Sequence, residues 1–388
     1  MPLHYCLICH HEIAHPGAEC QYCLSRATTG LAPPMALLAG VFLALALLFA
    51  ATRSLTATYQ EVRQERRRVH VSEATGLSEA GRYEAAASEF RAALRYGRSD
   101  FEARLGLSQA LFRLGQLSEA RNHLIDLVAR DPTSAVVNRL LAEISARQGR
   151  VDEAVSHYRT AIYGRWPEDP EGNRLTARFA LVELLEEEGR SLQVVGELAE
   201  LLEEAPDDAV RERIARHLLR ADAPERAAEL FEELTRSQPE DAGVFEGLGE
   251  AEFARAHYLS ARTAFSRSLA LDPGNAGVLE RLRLCNRIVD LDPTFRRVGT
   301  RERYRRSEEL VQRALAELRR CEVGLERFEA EIERAEALDG SIRRGGAEDS
   351  VEENISLAET LWVGRLELCP GLEPEDEPLG LVLEKLAQ

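Results

Sequence analysis

The chain has 388 residues, 45% of them hydrophobic and 30% charged, which is enough apolar material for more than one folded domain and excludes disorder throughout. Its net charge of −17 excludes a nonspecific nucleic-acid binder, which needs a basic surface to displace phosphate counterions. Seven cysteines, four of them within the first 23 residues, leave no room for a dense disulfide framework, and Cys285, Cys321 and Cys369 lie far apart in the sequence.

The first element is MPLHYCLICHHEIAHPGAECQYC, in which Cys6, Cys9, Cys20 and Cys23 form two C-x-x-C pairs separated by ten residues. Two such pairs place four thiolates on two turns that can close a tetrahedron around zinc, at about 2.3 Å from each sulfur. So short a segment has no core of its own, and metal binding would supply its folding free energy, on the order of 10 kcal/mol. With cysteine at all four positions the expected site is closed and structural, one zinc per chain, with no open position for catalysis. Residues 1–26 thus resemble the short zinc ribbons at the head of many bacterial membrane proteins, including the EI and PGA steps between the pairs. Those ribbons carry glycine after each second cysteine, where His10 and Leu24 stand here, so His10, His4, His11 and His15 are substitute ligands to consider. A redox dithiol at Cys6 and Cys9 is the competing reading.

Next, no residue from Ala27 to Thr52 is charged and Met35 to Ala51 is almost wholly apolar, with Leu31 and Ala32 extending the run past a Pro33-Pro34 start. About twenty residues rising roughly 1.5 Å each span about 30 Å, one hydrocarbon thickness. Six leucines, two phenylalanines and a valine would favour insertion by on the order of 3–5 kcal/mol. Residues 31–52 are expected to be one transmembrane helix, with a juxtamembrane segment at 53–66; a cleaved signal peptide does not carry a cysteine module as its leader. Two signals for orientation conflict. A zinc thiolate head belongs in a reducing compartment, which places it in the cytoplasm and the rest of the chain outside. Arg53, Arg63, Arg66, Arg67 and Arg68 after the span, against Arg26 before it, favour the reverse. The expectation is a cytoplasmic head, because most of these arginines begin beyond the bilayer end and Glu61 and Glu65 dilute them.

From residue 67 the chain repeats itself. Gly81, Gly115 and Gly149 are 34 residues apart, and Ala86, Ala120 and Ala154 coincide in that register, as do Phe90, Leu124 and Tyr158. After the longer connection GRWPEDPEGN a second set follows, closed by Pro206, Pro239 and Pro273 at spacings of 33 and 34. Small and large apolar residues at intervals of three and four mark one buried helical face, and each unit has two such runs, so each is a helical hairpin. One hairpin cannot cover its own apolar face, and six must stack. The period and the motif residues resemble the tetratricopeptide repeat over residues 67–273, best in the last unit, where Phe245, Leu248, Gly249, Tyr258, Ala261, Phe265, Leu269 and Pro273 fit the pattern. Val194, Gly196 and Asp222 depart from it. The resemblance implies an all-α solenoid of about six hairpins whose concave face, lined by the first helix of each, binds an extended peptide or helix of another protein. By register that face presents Gln109, Phe112, Arg113, Arg139, Glu143, Arg147, Glu183, Glu187, Arg216, Arg220, Glu250 and Phe253.

Residues 275–339 read as a closing helix, Asn275 to Leu291, and then a heptad pattern. Val311, Leu318, Leu325 and Ile332 alternate with Ala314, Cys321, Phe328 and Ala335. This seam either packs back on the solenoid end, which Gly324 and the two alanines favour, or dimerises the protein through residues 304–338. After a break at DGSIRRGGAEDS, residues 340–388 are acidic, with eleven acids and two bases from Glu348 onward and short helices around Leu357, Leu361, Trp362, Leu366 and Leu368 and at the C-terminus. The triplet Asn354-Ile355-Ser356 fits glycosylation but is too common a match to count.

There is no phosphate-binding glycine loop, nucleophile elbow or H-E-x-x-H motif. The expected protein is a noncatalytic, single-pass scaffold of the bacterial inner membrane type, with other proteins as its partners, lipid around its one span and no nucleic acid. A regulator of a membrane-associated assembly or proteolysis pathway is the second reading: the parts are similar to those of the bacterial regulator of lipopolysaccharide synthesis, in reversed order. A thiol-redox sensor is the third.

Overall fold

A computed structural model describes residues 3–388 apart from 17, 206, 296–297, 322, 339–346, 371–375 and 388, and describes only the backbone at 25–37 and 347–348. Pro206, most of the expected break after Leu338 and the side chains that begin the expected span therefore lie outside the described residues. Among the described residues the protein is all-α apart from an isolated bridge between Ser134 and Arg165 and one two-stranded ribbon, β1 (His4–Tyr5) and β2 (Glu12–Ile13). It divides into two compact units, Met1–Pro170 and Glu171–Gln388.

In the first unit α1 runs without interruption over Gln21–Glu79. From Leu38 this helix is long and apolar enough to cross a membrane by length and composition. Leu38, Val41, Phe42, Leu43, Leu45, Leu47, Leu48, Phe49 and Leu55 all lie exposed, Phe42 and Phe49 at 71%. Farther along, Val71 and Ala74 turn inward and the end of α1 becomes the first helix of a hairpin with α2 (Tyr83–Tyr96). The expected juxtamembrane segment at 53–66 is thus continuous helix. Two further hairpins follow, α3 (Phe101–Arg113) with α4 (Leu117–Val128) and α5 (Ala135–Arg147) with α6 (Val151–Tyr163). Their shared core takes Phe90, Leu107, Leu111, Leu124, Leu141 and Ile144 from successive helices.

The second unit holds three more hairpins: α7 (Pro170–Glu187) with α8 (Ser191–Glu203), α9 (Asp208–Arg220) with α10 (Pro224–Ser237), and α11 (Ala242–Ala254) with α12 (Tyr258–Leu271). First helices begin on side-chain caps that satisfy free backbone amides: Asp100 accepts from Ala103 N at 2.7 Å, Asp207 from Val210 N at 2.9 Å and Asp241 from Gly243 N at 2.8 Å. The turn inside each hairpin needs one left-handed residue. Gly81, Gly115, Gly149 and Gly189 supply it at φ between 66° and 74°, and Asp222 and Ala256 adopt it at 57° and 56° where glycine is missing.

Beyond α12, α13 (Ala276–Leu291) covers the last hairpin, and α14 (Thr300–Leu318), α15 (Glu329–Glu336), α16 (Ala347–Leu368) and α17 (Glu377–Leu386) build an apolar layer shared with Leu284, Ile288, Val289 and Leu291 of α13. The heptad seam is not one helix. It breaks after Leu318, Gly324 takes φ 87°, and a 3-10 turn at Leu325–Phe328 leads into α15. Val311, Ala314, Leu318 and Ala335 are buried in this layer with Leu357, Leu361 and Trp362 of α16, so the same chain covers them. Cys321 and Cys369 form a disulfide that closes a loop of sequence separation 48; such a closure restricts the unfolded chain by about 4 kcal/mol in a chain-entropy account. Asp292 is fully buried, takes the Thr294 amide at 2.8 Å and bonds Lys385, the chain's only lysine, at 2.5 Å, which latches α17 down. Asn354 is buried and donates to Ser307 at 3.0 Å, which closes the glycosylation triplet to modification in the folded protein.

Replacing Gly115 with Ala should destabilise the protein by about 1–2 kcal/mol, and Ala256→Gly should leave it unchanged or stabilise it by up to about 1 kcal/mol, because only glycine adopts a left-handed turn without strain. Denaturant unfolding of the two variants beside the parent checks both signs.

Candidate metal centre and repeat surface

The four N-terminal cysteines come together. The first pair sits on the turn between β1 and β2, where Cys6 N donates to His11 O at 2.8 Å and His10 N to Cys6 O at 2.9 Å. The second pair opens α1: Cys20 is its N-cap residue and Cys23 lies in its first turn. Cys9 Sγ lies 3.4 Å from Cys20 Sγ and Cys6 Sγ 4.0 Å from Cys23 Sγ, and all four sulfurs fall within 4.8 Å of one another. Four sulfurs at about 2.3 Å from a tetrahedral metal would be about 3.8 Å apart.

The electrostatics agree with that geometry. Hydrogen bonds from the Ile8 and Cys9 backbone hold the Cys6 thiol down at about 6. Hydrogen bonding with Cys9, burial and the neighbouring sulfurs push Cys23 up to about 12. One thiolate forms readily and the next is opposed, a conflict that a divalent cation among the sulfurs resolves. The residues therefore fit a metal ion, with Cys6, Cys9, Cys20 and Cys23 holding it and the ion supplying cross-linking of the two turns.

The histidine departures have a structural reading. His10 sits at φ 54°, the left-handed position that glycine fills in a relaxed knuckle turn. Leu24 lies inside α1, where its amide bonds Cys20 O at 3.1 Å and no glycine is required. His11 stacks on Tyr22 at 4.2 Å and its Nδ1 lies 3.2 Å from Cys9 O. Elsewhere His70, Glu73 and Glu89 also lie close together, but His70 Nδ1 pairs with Glu89 at 2.6 Å and its ring stacks on Tyr96, which joins α1 to α2.

Of the expected groove residues in the first unit, Gln109 and Arg113 are exposed, Arg139 pairs with Glu143 at 3.3 Å, and the Arg147 guanidinium lies 4.0 Å over the ring of Phe112. In the second unit Glu183 accepts from Arg213 at 2.9 Å, Arg216 bonds Glu212 at 2.7 Å and the Gly243 carbonyl at 3.3 Å, and Glu250 accepts from Arg281 at 3.0 Å. Phe253 lies under Arg281 at 4.8 Å and edge-on to Tyr258. Arg220 reaches Glu186 at 3.1 Å, and buried His217 meets the same carboxylate at 2.7 Å. Glu187 is exposed one residue farther on. Sequence reading passed over Glu186, although it stands three residues before the turn residue Gly189, as Phe112 stands before Gly115 and Phe253 before Ala256. It also passed over Arg213 and Arg281, although the signal was present: Phe112, Phe179 and Phe253 each lie under an arginine of the next first helix, with Arg213 3.7 Å from the Phe179 ring.

Comparison with known proteins agrees with these hairpins. Tetratricopeptide repeat profiles match residues 77–144 and 213–276, about a third of the chain, and the hairpins within those residues are similar to that repeat. Similar solved structures include the C-terminal part of a repeat-containing protein from Cytophaga hutchinsonii, at 11% identity over 80% of this chain and 98% of that one, with a TM-score of 0.45. YrrB, described as a TPR protein with an unusual peptide-binding site, is 15% identical over 51% of this chain and 99% of its own, with a TM-score of 0.39. PilW, a type IV pilus biogenesis factor, is 15% identical over 56% and 98%, again with a TM-score of 0.39. No curated protein matches the chain.

Two outcomes follow from the geometry. The head should retain one metal ion per chain through gel filtration, Cys20→Ser should lose it, and His10→Gly should keep it, as read by elemental analysis. Burial holds His123, His157 and His217 below the ordinary 6.5. The unfolded chain therefore takes up protons first as pH falls through 6.5, and stability present above that value is lost below it until the folded histidines protonate in turn. The melting temperature should accordingly be lower at about pH 5.5 than at about pH 7.5.

Proposed function

We propose that the protein is a membrane-anchored, noncatalytic adaptor that holds other proteins on the first-helix surface of its repeats and carries a zinc-bound head. Tetratricopeptide repeats generally mediate protein–protein contact. The observation that carries the anchored reading is α1 itself, in which nine large apolar residues from Leu38 to Leu55 are exposed around the helix and the same helix then enters the first hairpin. A helix apolar on all sides is stable only inside a protein core or a bilayer. The all-sulfur donor set favours zinc over oxygen-seeking ions, and four protein ligands leave no open position, which suits a structural role.

On the repeat surface the neighbouring Arg and Glu pairs are half-exposed and present both signs of charge. Exposed pairs of this kind contribute about 0–1 kcal/mol each, so a partner of patterned charge can exchange them at small cost. An anchored regulator of assembly or proteolysis would use the same surface, and identification of the bound partner separates the two.

Two measurements test this reading. The full chain should sediment with membranes and resist carbonate extraction, and Leu43→Arg with Leu47→Arg should move it to the soluble fraction. Photo-crosslinking residues at Gln109, Arg113 and Glu187 should capture a protein that the same group at Leu192, exposed on α8, does not; equal capture at all four positions would sink the surface assignment.

A further inference from the structure

The chain holds sulfur in two chemical states on either side of the apolar stretch of α1. Before it lie four free thiols within 4.8 Å of one another. After it lies the Cys321–Cys369 disulfide, where the loop following α14 meets the end of α16, with Cα atoms 5.8 Å apart and Cys321 buried. The two sites need opposite conditions. A metal-binding tetrathiolate requires reduced cysteines, whereas a structural disulfide is made and kept in an oxidising compartment. In an oxidising compartment the head would itself be lost, since Cys9–Cys20 and Cys6–Cys23 sulfurs already lie at 3.4 and 4.0 Å and would pair. In a reducing one the clasp would stay open.

Two of the five arginines that argue for the reverse orientation, Arg63 and Arg67, have a folding role of their own. Arg63 donates to the Tyr96 carbonyl at 2.7 Å, Arg67 pairs with Asp100, and Arg68 lies 3.9 Å from Glu65. The first two tie α1 to the end of α2 and the start of α3, so their presence after the span needs no explanation from membrane orientation.

Resting on the anchored reading above, we infer that the protein straddles a redox boundary. The four-cysteine head lies in the reducing cytoplasm, and the repeats and C-terminal helices lie in the oxidising compartment across the membrane, where the Cys321–Cys369 clasp forms. The clasp forms by thiol–disulfide exchange with a protein disulfide of the oxidising compartment. The two thiols lose two electrons and two protons, their sulfurs join, and the oxidant's disulfide is reduced to a dithiol.

The test counts thiols on the full chain. Cells are quenched in acid, the protein is denatured with chelator, and each free thiol is tagged with a polyethylene-glycol maleimide. Five tags are expected without reductant and seven with it, and a Cys321→Ser, Cys369→Ser variant should give five in both cases. In intact cells a membrane-impermeant maleimide should label a Leu192→Cys reporter and leave Cys6 unlabelled until the membrane is opened. Seven tags without reductant, three tags without reductant, or labelling of Cys6 from outside would each overturn the inference. Release of the protein by carbonate would instead overturn the anchor, while the tag count would still report whether the clasp exists.

Discussion

Each hairpin depends on the close crossing of its two helices, and that crossing depends on one small side chain early in the second helix. Ala86, Ala120, Ala154, Ala227 and Ala261 occupy this position and are fully buried. A bulky residue there would hold the helices apart and open the apolar layer beneath. The fourth hairpin accommodates Val194 at the same place, also fully buried, with Leu198 and Leu201 beside it. Because the crossing is tight, large residues such as Phe90 and Phe231 project toward the next hairpin, where Gly106 and Gly247 leave room for their rings. A hairpin is therefore complete only when its neighbour is present, and in the second unit α13 and the C-terminal layer close what would otherwise be a bare apolar face.

The same close packing arranges the polar surface. First helices bring arginine from one repeat over phenylalanine of the one before, and two of these guanidiniums also bond a carboxylate, Arg213 with Glu183 and Arg281 with Glu250. The stacked arginines keep their charge while shedding part of their water. That arrangement sets side chains of both signs over aromatic rings along the surface.

Features set by local spacing were legible in the sequence. The turn glycines at 34-residue intervals, the buried alanines five residues after them and the paired cysteines each follow from a rule that holds within a few residues. Asp222 and Ala256 show the limit of such reading, since the turn conformation persists where its signature residue is absent. Features set by distant packing were not legible. The Cys321–Cys369 bridge joins residues whose proximity exists only after α14 and α16 meet, and the heptad spacing runs on past Gly324, so the glycine marked a weak point in the seam but not the left-handed turn there. The first-helix surface fell between these cases: its residue types and register were readable, but the pairs that Glu186, Arg213 and Arg281 make across neighbouring helices were not.

The unbroken course of α1 has a mechanical consequence. Between the apolar stretch and the first tie to the hairpin, where Arg63 bonds the Tyr96 carbonyl, the helix has no turn or loop to act as a swivel, and the eight residues from Leu55 to Arg63 rise about 12 Å. With the apolar stretch in a bilayer, the first hairpin is carried on a rigid mast. Its height above the lipid and its bearing around the membrane normal are set by the helix, so a partner must approach at a defined elevation and angle, and a pull on the repeats reaches the membrane as tilt.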